Sequence, residues 1–327
     1  MTSGNGPARF SLVSVSVSSQ PSSSAPDTRR DATMRPRMNN MESGGRIVFA
    51  ISGTIGSYQV IRLLGRGATS CVYECRHAAL GRIVAIKVLH AHLVVDSIAV
   101  ERFRREGQAA ARVDHPNVVK VLDIGEHEGV PYLVMDRVSG DDLKTYLRQR
   151  SLMPVADIVE CMLGVVAGIA AAHDAGVVHR DLKPSNIRIG YDHLGGLDAR
   201  VLDFGISKIV DEPVSDLTDS NASLGTTSYM APEQVRDSKN VDARSDIYAL
   251  GVILYECATG ALPFCGASTY DRMHAALAGE AVPPTRLRSE LPAEFEAIIL
   301  KAIDRLPENR FASARELGQA LAAFAFE

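Results

Sequence analysis

The chain has 327 residues, 46% hydrophobic and 23% charged, with a net charge of -4. That length admits about two domains and a sizeable core, and a balance this close to neutral gives no basis for binding nucleic acid or an anionic membrane surface. Five cysteines without a CxxC pair argue against a disulfide framework and suit a reducing compartment.

Residues 1–55 are rich in Ser, Pro, Gly, Asn and Arg and hold too little apolar surface to offset the entropy of ordering, so a disordered tail is expected. Translation starting at Met34, Met38 or Met41 is an alternative. No basic, then apolar, then small-residue leader opens the chain. From 56 to 138 the pattern is strand-rich, with strands at 58–64, 71–76, 83–89, 119–126 and 132–136 and one helix over 98–113. Cys71 and Cys75 fall within one of these runs and pack rather than bridge. Over 139–327 helices take over, at 142–150, 155–175, 243–259, 269–278, 294–302 and 313–324. Ser313 followed by Glu316 reads as a capping box for the last. The apolar stretch 161–178 is broken by His173 and Asp174 and reads as a buried helix rather than a membrane span. With no span expected, a cytoplasmic location is expected too. A small strand-rich lobe followed by a helical one leaves a cleft between them, a common place for a ligand.

Four motifs carry chemistry. Leu64-Gly65-Arg66-Gly67-Ala68-Thr69-Ser70-Cys71-Val72 joins two strands, and its glycines let backbone N–H groups approach phosphate oxygens. A dinucleotide fold would follow the glycines with a helix, whereas here a strand continues; a plain hairpin with two glycines stays open. Val84-Ala85-Ile86-Lys87 sets a lysine in an apolar strand, where it must snorkel or meet an anion; a lysine exposed on an edge strand is the alternative. Val178-His179-Arg180-Asp181-Leu182-Lys183-Pro184-Ser185-Asn186 is followed by Asp203-Phe204-Gly205. Gly225-Thr226-Thr227-Ser228-Tyr229-Met230-Ala231-Pro232-Glu233 closes a hydroxyl-rich, acidic stretch.

This set of motifs, in this order, resembles the bacterial eukaryotic-type (Hanks-type) Ser/Thr protein kinases, over about residues 58–324. The resemblance implies an α+β, bilobal fold: a small antiparallel β-rich lobe with one long helix, a hinge near 132–138, and a larger mainly helical lobe. It implies an enzyme that uses ATP and magnesium to phosphorylate Ser/Thr hydroxyls of proteins and of its own activation segment. By this likeness Asp181 orients and deprotonates the attacking hydroxyl, Lys183 neutralises the moving phosphoryl group, and Lys87 binds the α- and β-phosphates, held by Glu106. Asn186 and Asp203 would hold magnesium, which favours hard oxygen ligands. Nucleotide contacts are expected at Leu64, Gly65, Gly67, Ser70, Val72, Ala85 and Lys87, then at Met135, Asp136, Val138 and Asp142. His179 would be a packing residue and Arg180 a receptor for phosphate on the activation segment. Thr218, Ser220 and Ser223 are the expected autophosphorylation sites, and Thr226 a bridge between Asp181 and Lys183. Glu233 is expected to pair with Arg310, and Asp246 to cap the catalytic-loop backbone. Expected partners are protein substrates and, for phosphorylation in trans, a second copy of the chain. Two departures stand out. Ser70 replaces the third glycine, and Arg188 sits where the family has an apolar adenine floor. They motivate the alternative of a pseudokinase scaffold that binds nucleotide without turnover. A small-molecule phosphotransferase is a third reading, against which the 225–233 segment speaks.

Overall fold

Two-residue alternation along the first strands decides which side chains face the cleft. The computed structural model describes residues 53–150, 152–191, 195–203, 227–236 and 241–325. Its first sheet comprises β1 (Thr54–Ile55), β2 (Tyr58–Arg66), β3 (Ser70–His77), β4 (Ile83–Leu89), β5 (Val121–His127) and β6 (Val130–Asp136). These pair antiparallel in the order β1-β2-β3-β4-β6-β5. In the β3–β4 ladder Cys71 opposes Val88, Tyr73 opposes Ile86 and Cys75 opposes Val84, and all six pack on one face. The period of two turns Val72, Ala85, Lys87 and Met135 to the other face. There Ala85, Val119 and Met135 pack with Leu64, Val72, Val121, Val138 and Leu202 as a separate apolar cluster.

Helix α1 (Ser97–Ala110) interrupts the strands, N-capped by the Asp96 carboxylate, which accepts from the Ile98 N–H at 2.9 Å. Its buried positions Phe103, Glu106, Gly107 and Ala110 follow helical spacing. Gly107 is needed for the approach: a Cβ there would lie 2.3 Å from Leu133 Cδ2 on β6. The tight packing brings Glu106 down onto the sheet beside β4.

Beyond β6 come β7 (Asp141–Asp142), α2 (Leu143–Gln149), α3 (Val155–Asp174), β8 (Ile187–Tyr191) and β9 (Leu197–Val201). Strands β7, β8 and β9 form a second antiparallel sheet in that order. Gly140, φ +94°, is the only residue type that fits before β7, since a Cβ would sit 1.9 Å from the Ile189 carbonyl oxygen. The described chain ends with α4 (Pro232–Arg236), α5 (Arg244–Thr259), α6 (Thr269–Ala278), α7 (Pro284–Leu287), α8 (Ala293–Ala302) and α9 (Ala314–Ala322). The fold is bilobal, with an antiparallel sheet and one helix in the small lobe and helices in the large one.

The large lobe is built around α3 and α5. Ile158, Met162 and Ile169 of α3 are fully buried, as are Ile247, Leu250 and Leu254 of α5. Each such side chain contributes about 1.5–3 kcal/mol on burial. By length and composition α3 is apolar enough to cross a membrane; here half of that stretch is buried, packed on α5, α9 and β9. None of the five cysteines is bridged among the described residues.

The predicted strand 83–89 and helix 269–278 match the structure, and the ends of the other predicted elements lie within three residues of those observed. The expected tail boundary at residue 55 moves back, because Thr54–Ile55 forms β1 with Ile55 buried, and residues 1–52 lie outside the described residues. The capping-box expectation needs correction. Ser313 Oγ does accept from the Glu316 N–H, at 3.2 Å, but the Glu316 carboxylate bonds the N–H of Ala312 at 2.8 Å instead of closing the box on Ser313. At α6 the box is complete, between Ser268 and Asp271.

Candidate active site

Lys87 cannot stay charged on the cleft face without anions beside it. Its ammonium lies 2.5 Å from Glu106 Oε1 and 3.3 Å from Asp203 Oδ1. The Lys87 and Glu106 side chains are 8% and 10% exposed, that of Asp203 38%. Burial works against the charge, but the Asp203 and Glu106 carboxylates outweigh it and hold the ammonium pKa above the ordinary lysine value. The edge-strand alternative for Lys87 is therefore excluded. Strand β4, helix α1 and the segment after β9 converge at one cation.

The loop carrying Asp181 is held from beneath by Asp246 in the first turn of α5. Its Oδ2 accepts from the His179 backbone N–H and from His173 Nε2, its Oδ1 from the Arg180 N–H, each at 2.8 Å. Burial alone would raise the Asp246 pKa, but the hydrogen bond from His173 and the charge of the two histidines bring it below the usual carboxylate range. These bonds hold Arg180 at φ +65°, a left-handed backbone that costs a non-glycine residue about 1–2 kcal/mol. Gln234 of α4 donates to the Arg180 carbonyl at 3.0 Å, clamping the other side of that peptide. The expected capping role of Asp246 is thus present in its hydrogen bonds. Above this support Lys183 Nζ donates to Asp181 Oδ2 at 2.8 Å, and Asn186 Nδ2 donates to the Asp181 carbonyl at 2.9 Å.

His179 is buried, and burial outweighs the nearby carboxylates to hold its pKa below the ordinary histidine value. That suits packing rather than proton transfer.

At the hinge, the Asp136 N–H is committed to the Lys120 carbonyl at 3.0 Å and its carboxylate to Arg82 at 2.6 Å. Leu64, Val72, Ala85, Met135 and Val138 come together as the cleft's apolar lining. Leu202, which no motif singled out, joins them. Asp142 caps α2, accepting from the Thr145 N–H at 2.9 Å and its hydroxyl at 3.0 Å. Arg188 turns its guanidinium to the Gly140 carbonyl at 3.0 Å, opposite Asp142 in the β7–β8 pair. Burial holds its pKa below the ordinary arginine value. Ser70 is buried, and its carbonyl accepts from the Gly67 N–H at 2.8 Å, closing the glycine-rich turn.

The motif after the activation stretch locks onto the large lobe. Arg310 makes a two-pronged pair with Glu233, at 2.7 and 2.8 Å, as expected, and its guanidinium lies 4.9 Å from the Tyr248 ring centroid. The Tyr229 hydroxyl donates to the Glu256 carboxylate at 2.6 Å, a contact the motifs did not announce. Thr218, Ser220, Ser223 and Thr226, with Phe204 and Gly205, lie outside the described residues.

A protein kinase domain model matches residues 58–321. The chain belongs to the protein kinase family. It is 36% identical over 270 residues to the probable serine/threonine-protein kinase PknB of Bifidobacterium longum, covering 80% of this chain and 38% of that protein. Against the serine/threonine-protein kinase PrkC of Bacillus subtilis the identity is 38% over 262 residues, covering 80% and 39%. Against PknB of Mycobacterium tuberculosis it is 37% over 264 residues, covering 80% and 41%. The chain thus spans about two fifths of the length of these relatives. Among solved structures, the kinase domain of Mycobacterium tuberculosis PknI is 28% identical with a TM-score of 0.64, covering 84% of this chain and 98% of that one.

Kinases of this family use ATP with a divalent cation, and the residues present fit such a group. The Asp181 carbonyl can only accept, so it fixes Asn186 with Nδ2 toward it and Oδ1 as the amide's remaining acceptor. With the part-exposed Asp203 carboxylate, this supplies two hard oxygen donors at the kinase cleft.

Proposed function

We propose that the chain is a protein serine/threonine kinase that transfers the γ-phosphoryl group of ATP, as its magnesium complex, to hydroxyls of proteins and of its own activation segment. The observation that carries this reading is the meeting of Lys87, Glu106 and Asp203 at one buried cation, in the cleft beside a braced Asp181. In the proposed reaction the acceptor hydroxyl approaches Asp181, which orients it and takes its proton as the new O–P bond forms. The bond from the γ-phosphorus to the ADP oxygen breaks, and ADP leaves with that electron pair. Lys183 offsets charge on the moving phosphoryl group, and Lys87 holds the α- and β-phosphates in line. Magnesium, held by Asn186 and Asp203, would supply charge neutralisation on the phosphate oxygens. The adenine would rest among Leu64, Val72, Ala85 and Met135, with its edge on the Asp136 carbonyl and the Val138 backbone. Asp142 would meet the ribose, and Gly65, Gly67 and Ser70 the phosphates. Arg180 would receive phosphate on Thr218, Ser220 or Ser223, and Thr226 would bridge Asp181 and Lys183. Phosphorylation in trans by a second copy, and a cytoplasmic location, belong to the same proposal.

The test is transfer of labelled phosphate from ATP and magnesium to the chain and to a generic acceptor protein. Wild type should be labelled, and Asp181→Asn and Lys87→Met should not. A wild type that binds ATP but never labels protein would overturn the reading.

A further inference from the structure

The glycine-rich turn has little to rest on. Gly65, Arg66, Gly67, Ala68 and Thr69 are all exposed, and a Cβ built at Gly65 would meet nothing within 4 Å. Past the β2–β3 pairing of Arg66 with Cys71, its own closure among the described residues is the Gly67-to-Ser70 backbone bond. Among the described residues, one side chain outside the turn reaches it. His90, immediately after β4, donates its backbone N–H to the Thr69 carbonyl at 2.8 Å, and its ring Nε2 lies 3.1 Å from the Gly67 carbonyl oxygen. A carbonyl only accepts, so Nε2 carries a proton. In the neutral ring Nδ1 is then an acceptor, and it faces the buried Cys71 thiol, with Sγ at 3.9 Å. The ring of His92 stacks on that of His90 with centroids 5.5 Å apart, which further fixes its plane.

His90 sits three residues after Lys87, one residue past the end of the strand that the Glu106 pair anchors. The same backbone therefore carries both the ammonium meant for the phosphates and the strut beneath the turn meant to cover them. We infer that His90 is a positioning residue of the nucleotide site, whose Nε2–H bond to the Gly67 carbonyl holds the glycine-rich turn in register with Lys87. This rests on the kinase reading above for what the turn covers, but not for the turn being held.

Glutamine and asparagine separate the two ring nitrogens. His90→Gln places an amide donor near the position of Nε2, whereas His90→Asn reaches only as far as Nδ1. Two readouts are needed: ATP affinity with magnesium by titration calorimetry, and hydrogen exchange of peptides spanning 65–70 without nucleotide. His90→Asn should weaken ATP about fivefold and speed exchange in the turn about fivefold, the size of one neutral hydrogen bond. His90→Gln should stay within about twofold of wild type in both. Equal behaviour of the two variants, either both wild-type or both impaired, overturns the inference. If wild type itself binds no ATP, the functional reading fails instead, and the exchange rates alone decide the role of His90.

Discussion

Replacing Lys87 by Met strands a carboxylate. Glu106 loses its 2.5 Å partner while only 10% exposed, and removal of one member of a buried ion pair costs about 3–5 kcal/mol. Asp203 suffers less, because at 38% exposure water reaches it. Replacing both Lys87 and Glu106 by Met removes the stranded charge and leaves apolar side chains beside Leu89, Phe103 and Leu133. An ion pair exchanged for apolar groups of like volume is about neutral, so the double variant should recover about 2–4 kcal/mol relative to Lys87→Met alone. Urea unfolding of the four proteins in the cycle reads this directly. The recovery should be larger at pH 8 than at pH 5, because a stranded carboxylate relieves itself by protonation. Phosphotransfer should fall by about a hundredfold or more in every variant lacking Lys87, whatever its stability. Strictly additive stabilities in the cycle would refute the claim that these two side chains depend on one another.

Three further outcomes follow from local geometry. The Tyr248 hydroxyl is buried with no hydrogen-bond partner among the described residues, so Tyr248→Phe should leave urea stability equal or raise it by up to about 1 kcal/mol. Arg310→Met strips the two-pronged pair from Glu233 and the bonds to the Arg244 and Asp304 carbonyls, and should cost about 3–5 kcal/mol in the same assay. The His179 pKa lies below its unfolded value of about 6.5, so the unfolded chain binds the extra proton first. Its stability contribution is then complete above about pH 6.5 and shrinks as pH falls, by at most about 1.4 kcal/mol per pH unit. Denaturation midpoints at pH 7.5 and 5.5 should show this slope in wild type and a shallower one in His179→Gln.

The proposed catalytic residues were legible because their spacing within the chain is itself the signal. Asp181, Lys183 and Asn186 sit within six residues, and Lys87 announces itself as a charge in an apolar strand. What the sequence left dark are contacts between distant segments. Leu202 joins the cleft cluster only once β9 is in place, and β8 and β9 lie in a stretch for which the sequence pattern predicts no strand. Their two-residue alternation, Ile187-Arg188-Ile189 and Ala199-Arg200-Val201, was the available clue. Arg188 stands out in the sequence as a departure from an apolar adenine floor because its partner, the Gly140 carbonyl, is 48 residues away. The Glu316 carboxylate passes its cap to Ala312, a choice set by local backbone geometry that residue types do not reveal. Helices α4 and α7, of five and four residues, are too short for periodicity to show.

In the proposed enzyme one cleft gathers Lys87, Asp181, Asn186 and Asp203 around a triphosphate. Crystals grown with a non-hydrolysable ATP analogue and magnesium test it most directly. The β-phosphate should lie at the Lys87 ammonium, a metal on Asn186 and Asp203, and the γ-phosphorus should face Asp181. Density for the triphosphate away from Lys87, or the Arg188 guanidinium occupying the base site, would contradict it.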